Sequence, residues 1–269
     1  MSSPRRAIAI VVNGPSSAGK STLCTALHRA LVRRCATDPR LAFFRVSFDD
    51  FLYAVHPSML PRSFLELTGG DLEGCASREP HDGLACFEYV DMTGADDEDT
   101  TDRLARLELS EAGERFLKGQ TAGWGKHLEL GTNLLIDAFL QEKHWADDLR
   151  EAIHNSGAKV INVVMTCNQA ELERREKQRG DRFPGMARHS AGVVHKHKHG
   201  ETDLGIDETV STDDAVNSIL HHLDGLEASV NDTRGQAALT AQPGKVIQRL
   251  QCAMESRSRL EAENLRKLK

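Results

Sequence analysis

Nowhere does this chain carry an apolar run long enough to cross a bilayer, so no membrane partner is expected. The basic start Met1-Ser2-Ser3-Pro4-Arg5-Arg6 precedes an apolar run too short for a secretory signal, and a cytoplasmic protein is the expectation. Thiol frameworks are missing too. Cys24, Cys35, Cys75, Cys86, Cys167 and Cys252 form no C-x-x-C pair and no zinc spacing, which suits a reducing compartment. Positive charge is in deficit: 34 Lys and Arg against 40 Asp and Glu give a net charge of −6, which argues against nucleic acid as the main partner. No internal repeat is evident. What remains is ordinary globular composition over 269 residues, enough for one large α/β domain and an appendage.

The stretch that organises the chain is Gly14-Pro15-Ser16-Ser17-Ala18-Gly19-Lys20-Ser21-Thr22, which matches G-x-x-x-x-G-K-[ST] at every required position. Ala7-Ile8-Ala9-Ile10-Val11-Val12 reads as a buried strand running into it. Leu23, Ala26, Leu27, Ala30 and Leu31 give the apolar face of a helix over about 21–34. Gly14 and Gly19 let the backbone turn tightly, so that successive N–H groups face inward beside the positive end of that helix. The whole loop, 14–22, is therefore expected to hold the phosphates of a nucleotide. Lys20 adds a charge that reaches the β- and γ-phosphates, and the Ser21 hydroxyl is a ligand for Mg²⁺.

Downstream, Leu41-Ala42-Phe43-Phe44-Arg45-Val46-Ser47-Phe48 reads as a second strand ending on Asp49-Asp50. Ligands of parallel sheets bind beyond the carboxyl ends of the strands, which puts this acid pair at the same crevice as the loop. A carboxylate there takes a proton from a substrate hydroxyl, holds Mg²⁺ through water, or caps a following helix; Asp49 is the candidate base. Residues 57–102, rich in Pro and Gly and carrying Asp96-Asp97-Glu98-Asp99, read as an insertion of irregular structure. A helical segment is expected over about 102–130, with breaks near Gly113 and Gly123-Trp124-Gly125. The third strand, Asn133-Leu134-Leu135-Ile136-Asp137, ends in an acid that either faces Mg²⁺ or caps a turn.

Lys159-Val160-Ile161-Asn162-Val163-Val164-Met165 is a fourth strand, and Asn168-Gln169-Ala170-Glu171 opens the next helix in the manner of a capping box. That helix is crowded with Arg174, Arg175, Lys177 and Arg179, with Arg182 beyond a break at Gly180-Asp181. Such charge either faces water, balanced by Glu171, Glu173 and Glu176, or closes over phosphate as a lid spanning about 174–200. His195, His197 and His199 would share one face if extended, but no acid or thiol is paired with them as a metal ligand. Leu204-Gly205-Ile206-Asp207 reads as a fifth strand, and Thr212 is expected to cap a helix closed by Gly225. The domain is thus drawn as 1–225. Residues 226–269 read as a polar linker and an accessory C-terminal helix that packs on the domain, on a partner or on a second copy.

Strand, glycine loop, helix, strand ending in Asp and arginine helix with a Gly-Asp-Arg break together resemble the chloramphenicol phosphotransferase family of small P-loop kinases. The motifs that carry the resemblance are Asn13-Gly14 through Ser21, Phe48-Asp49-Asp50-Phe51-Leu52, and Glu173-Arg174-Arg175-Glu176-Lys177-Gln178-Arg179-Gly180-Asp181-Arg182. It implies transfer of phosphate from ATP, with Mg²⁺, to an alcohol of a small molecule. Asp49 would be the base, Lys20 would hold the phosphates, and Arg179 and Arg182 would close on the transferred group. Ala138 follows Asp137 where the family suggests a second acid, and the insertion is longer than the family pattern; both weaken chloramphenicol itself as the acceptor.

The fold expected is therefore α/β of the P-loop NTPase type, a five-stranded parallel sheet with helices on both faces. The function expected is an ATP- and Mg²⁺-dependent phosphotransferase acting on a chloramphenicol-like antibiotic or another hydroxylated metabolite. Two alternatives stand beside it: a nucleotide or nucleoside kinase, and a non-enzymatic nucleotide-dependent switch.

Overall fold

The apolar run before the glycine loop forms strand β1, Ile8–Asn13, in a computed structural model that describes residues 6–50, 85–93, 104–179, 183–196 and 202–231. Every residue of β1 is buried, so both of its faces are covered. Alternate side chains point to opposite faces. Ile8, Ile10 and Val12 enter one core with Leu23, Leu27 and Leu31 of helix α1, Lys20–Cys35, while Ala9 and Val11 enter the other.

The remaining strands of the main sheet are β2 (Phe43–Ser47), β5 (Asn133–Ala138), β6 (Lys159–Met165) and β7 (Leu204–Ile206). They form the expected five-stranded sheet, in the order β2-β5-β1-β6-β7 with all pairs parallel. Helices α1 and α6 (Thr212–Asn231) cover one face. Helices α2 (Glu111–Glu129) and α3 (Lys143–Ser156) cover the other. Two shorter helices, α4 (Gln169–Arg179) and α5 (Met186–Val193), follow β6.

One segment contradicts the sequence reading. The expected helix over 102–130 begins instead as strand β4, Ala105–Leu109, antiparallel to β3, Phe87–Asp91, inside the supposed irregular insertion. The period-two signal was present, because Ala105 and Leu107 are buried while Arg106 between them is not; the longer helical run beside it masked it. Ser110 then caps α2, its hydroxyl accepting from the Gly113 N–H at 3.3 Å. Helix α2 is continuous across Gly113, Gly123 and Gly125. Two of its glycines mark close approaches: a Cβ at Gly113 would collide with the Cys86 carbonyl, and one at Gly125 would sit 3.0 Å from the Ala152 carbonyl on α3, whereas Gly123 faces open space.

Further corrections are smaller. Ser211, not Thr212, caps α6, accepting from the Asp214 N–H at 3.1 Å, and the helix continues through Gly225. His195 lies in a 3-10 turn, Val194–Lys196, not in an extended run, while His197 and His199 fall outside the described residues. Among the described residues no group of three or more His, Cys, Asp or Glu is placed to hold a metal, and no helix is long and apolar enough to cross a membrane. Arg182, the acidic run and the expected C-terminal helix lie outside the described residues.

Candidate active site

Register brings the site together. Asp137 at the end of β5 pairs with Val12 of β1 on one side and with Ser47 of β2 on the other, so three strand ends open at one level. Beyond them lies an open cleft, with Ser17, Lys20 and Ser21 on one wall and Tyr89, Leu107, Phe139 and Met186 on another. Asp49, Asp137 and Arg179 line it as well. A second, more open cleft shares Ser17, Gly19, Thr22 and Arg179 with the first, and adds Arg175, Gln178 and Val210.

The loop owes its shape to three residues. Gly19 has φ 98°, a left-handed backbone that glycine adopts freely. Gly14 packs so close to β6 that a Cβ would lie 2.7 Å from the Met165 carbonyl. Ser17 is left-handed too, with φ 63°, a conformation that costs a non-glycine residue about 1–3 kcal/mol. Lys20 arches back, its Nζ donating to the Gly14 and Pro15 carbonyls at 2.8 Å each and standing 5.4 Å from the Phe139 ring centroid. The Ser16 N–H is already bonded, to Ser190 Oγ at 2.9 Å. The first-turn amides of α1, by contrast, have no acceptor within the helix.

The two neighbouring acids divide their work. Asp50 turns back to accept from the Ser47 N–H at 2.8 Å and closes the turn, while Asp49 lines the cleft, its own N–H bonded to Ser47 Oγ at 3.1 Å. Helix α2 fixes this corner. Gln120 donates to the Ser47 carbonyl at 3.1 Å, and Phe48 meets Trp124 edge to face at 5.3 Å. Buried Asp137 accepts from Arg45 at 3.1 Å. Burial and the Asp137 charge together push the Cys24 thiol up, out of the range in which it would react.

The arginines of α4 do not share one environment. Arg174 is half exposed and pairs with Glu171. Arg175 also bonds Glu171, at 2.7 Å, and donates to the Ala18 carbonyl of the loop at 3.3 Å. Held by these two guanidinium groups, the Glu171 carboxyl drops to about 2. Arg179 reaches both clefts. Glu176, read from sequence as surface balance, is buried and accepts from the Gly185 N–H at 2.9 Å and the Ala187 N–H at 2.7 Å, capping α5.

Sequence reasoning missed the opposite wall. The β3–β4 hairpin docks on the main domain through buried Gln141, which accepts from the Leu107 N–H at 3.4 Å and donates to the Leu107 carbonyl at 2.8 Å, as a neighbouring strand would. Tyr89, across from Leu107 in the hairpin, stacks on Phe183 at 5.4 Å. The available signal was the alternation that runs out of the end of β5: Asp137, Phe139 and Gln141 all face this region.

The Ser21 hydroxyl and the Asp137 carboxylate are hard oxygen donors at the same cleft, a donor set that suits Mg²⁺ completed by substrate phosphates better than a cage made of protein alone.

Known proteins resemble this chain in sequence and in fold. Two curated Mycobacterium tuberculosis proteins described as proposed O-phosphotransferases, Rv2636 and MT2714, each share 26% identity over 202 residues, 75% of this chain and 75% of their own. Among solved structures, a gluconokinase from Sinorhizobium meliloti 1021 superposes with TM-score 0.46 and 15% identity over 86% of this chain and 99% of its own. The Mycobacterium tuberculosis APS kinase CysC, in complex with AMPPNP and APS, gives 0.49 and 14% over 82% and 99%. The model of the chloramphenicol phosphotransferase-like proteins matches residues 7–224, most of the chain, and the protein belongs to that family.

Proposed function

We propose that this protein transfers the γ-phosphoryl group of ATP to a hydroxyl of a small molecule, either an antibiotic or another hydroxylated metabolite. The observation that carries this reading is the convergence of Asp49, Lys20 and Arg179 on one cleft with an apolar wall opposite. The triphosphate lies along the loop, with Lys20 at its β- and γ-phosphates and the nucleoside in the second cleft. Asp49 takes the proton of the acceptor hydroxyl as its oxygen attacks the γ-phosphorus, and the bond to the β-phosphate oxygen breaks to release ADP. Arg179 meets the charge that spreads over the transferred oxygens. Ser21 and Asp137 would hold Mg²⁺, which supplies further neutralisation of the phosphates when bound. Tyr89, Leu107, Phe139 and Met186 suit an acceptor with an uncharged, partly apolar body.

The test is ATP consumption with Mg²⁺ against a panel of chloramphenicol, nucleosides and simple hydroxylated metabolites. Stimulation by one acceptor, with its phosphorylated form seen by mass spectrometry, is the expected result. ATP binding without stimulation by any acceptor would overturn it in favour of a nucleotide-dependent switch.

A further inference from the structure

Helix α5 is bonded to the phosphate loop, although no step of the transfer chemistry calls on it. The Ser190 hydroxyl, 1% exposed, accepts from the Ser16 N–H at 2.9 Å and donates to the Ala187 carbonyl at 3.1 Å. On the other flank of Ser17, Arg175 donates to the Ala18 carbonyl. Ser17 therefore sits between two fixed neighbours. Among the described residues it is the non-glycine with a positive φ, and its buried hydroxyl has no hydrogen-bond partner. A serine does not hold a left-handed backbone unaided, so its surroundings must impose it. The position of α5 rests in turn on Glu176, whose buried carboxylate takes the N–H groups of Gly185 and Ala187. Buried polar contacts thus run from the arginine helix α4, through α5, into the loop.

We propose that Ser190 is a positioning residue for the phosphate loop: with Arg175 it clamps both sides of Ser17, and Glu176 supports it by fixing α5. This rests on the loop being the phosphate site. Removing the Ser190 hydroxyl leaves the Ser16 amide buried without its partner, so the loop spends less time in the shape that accepts phosphate. Apparent nucleotide affinity falls in proportion to that lost fraction.

The experiment measures the dissociation constant of AMPPNP with Mg²⁺ by calorimetry, and the melting temperature, for the full chain and for Ser190→Ala, Ser190→Ala with Ser17→Gly, Glu176→Gln and Lys20→Ala. Ser190→Ala is expected to bind about tenfold more weakly. Glycine at position 17 holds positive φ without strain, so adding Ser17→Gly should restore part of the loss. A purely structural role would not produce that rescue. Affinity of Ser190→Ala within about twofold of the parent, or a lower melting temperature with unchanged affinity, would overturn the clamp while Lys20→Ala still weakens binding. Unchanged binding in Lys20→Ala would overturn the phosphate-site reading itself. If Ser190→Ala fails to fold, Glu176→Gln carries the test, and unchanged AMPPNP affinity there refutes the clamp.

Discussion

The two walls of the cleft are built on different principles. The loop wall comes from one contiguous stretch, and its polar groups are mostly backbone, shaped by Gly14 and Gly19. The facing wall is assembled from the hairpin, the segment after β5 and the entry to α5, and its pieces meet through contacts such as Gln141 to Leu107, 34 residues apart. A contiguous wall is specified by local sequence and varies little without losing function. A wall of distant pieces can change its lining while the loop stays as it is, which is how one phosphate site comes to serve many acceptors.

The sharpest way to break this comparison is at the acid between the walls. Asp49→Asn should cut phosphoryl transfer about 10²- to 10⁴-fold with AMPPNP affinity nearly unchanged, as read by steady-state rates and calorimetry. Next comes Gly14→Ala on the loop wall. With its Cβ 2.7 Å from the Met165 backbone carbonyl, strand or loop must shift, and a loss of about 1–3 kcal/mol in unfolding free energy together with weaker AMPPNP binding is expected from denaturant titration and calorimetry. Gln141→Ala tests the assembled wall. It strips both backbone bonds from buried Leu107, for about 1–3 kcal/mol, and should raise the acceptor KM while leaving nucleotide affinity alone. Tyr89→Ala should shift the ranking within an acceptor panel by about tenfold or less at unchanged AMPPNP affinity. If instead it weakened nucleotide binding as much as Lys20→Ala, the two walls would not be separable.

The smallest effect concerns pH. Burial, helped by the nearby Arg106, holds the His189 imidazole below its ordinary 6.5, with Glu142 opposing and Lys196 adding to the effect. The folded protein then takes up a proton less readily than the unfolded chain, so stability grows as pH rises toward 6.5 and falls below it. His189→Asn should flatten that part of the stability curve, measured as melting temperature against pH.

How much of this was legible follows from the same contrast. The five strands of the main sheet and the glycine loop declared themselves through apolar runs and motif spacing, and Asp49 through its place at a strand end. The turn-closing role of Asp50, read only as a second acid at the crevice, and the capping role of Glu176, read as a surface acid, were hidden because what sets each apart is an amide three or nine residues away, brought near only by the turn. Tyr89 gave no local signal, and Gln141 only its place in the alternation with Asp137 and Phe139, since their partners belong to another part of the chain. The strand Ala105–Leu109 was visible as a short alternation but lost to the longer helical pattern beside it. Of the glycines read as helix breaks, Gly113 and Gly125 proved to be points of close contact and Gly123 did not, a distinction that depends on what lies opposite.

The central place of β1 has a consequence for how the molecule is made. Its neighbours are β5 and β6, and the bond from the Ile8 N–H to the Asn133 side chain spans 125 residues. At ribosomal rates of about 5–20 residues per second, that strand and the loop attached to it wait about 6–25 s before either flank can form. The glycine loop is thus synthesised well before the strands that flank it and takes shape only with them, and the sticky run Ile8–Asn13 is what a chaperone would find exposed in the interval.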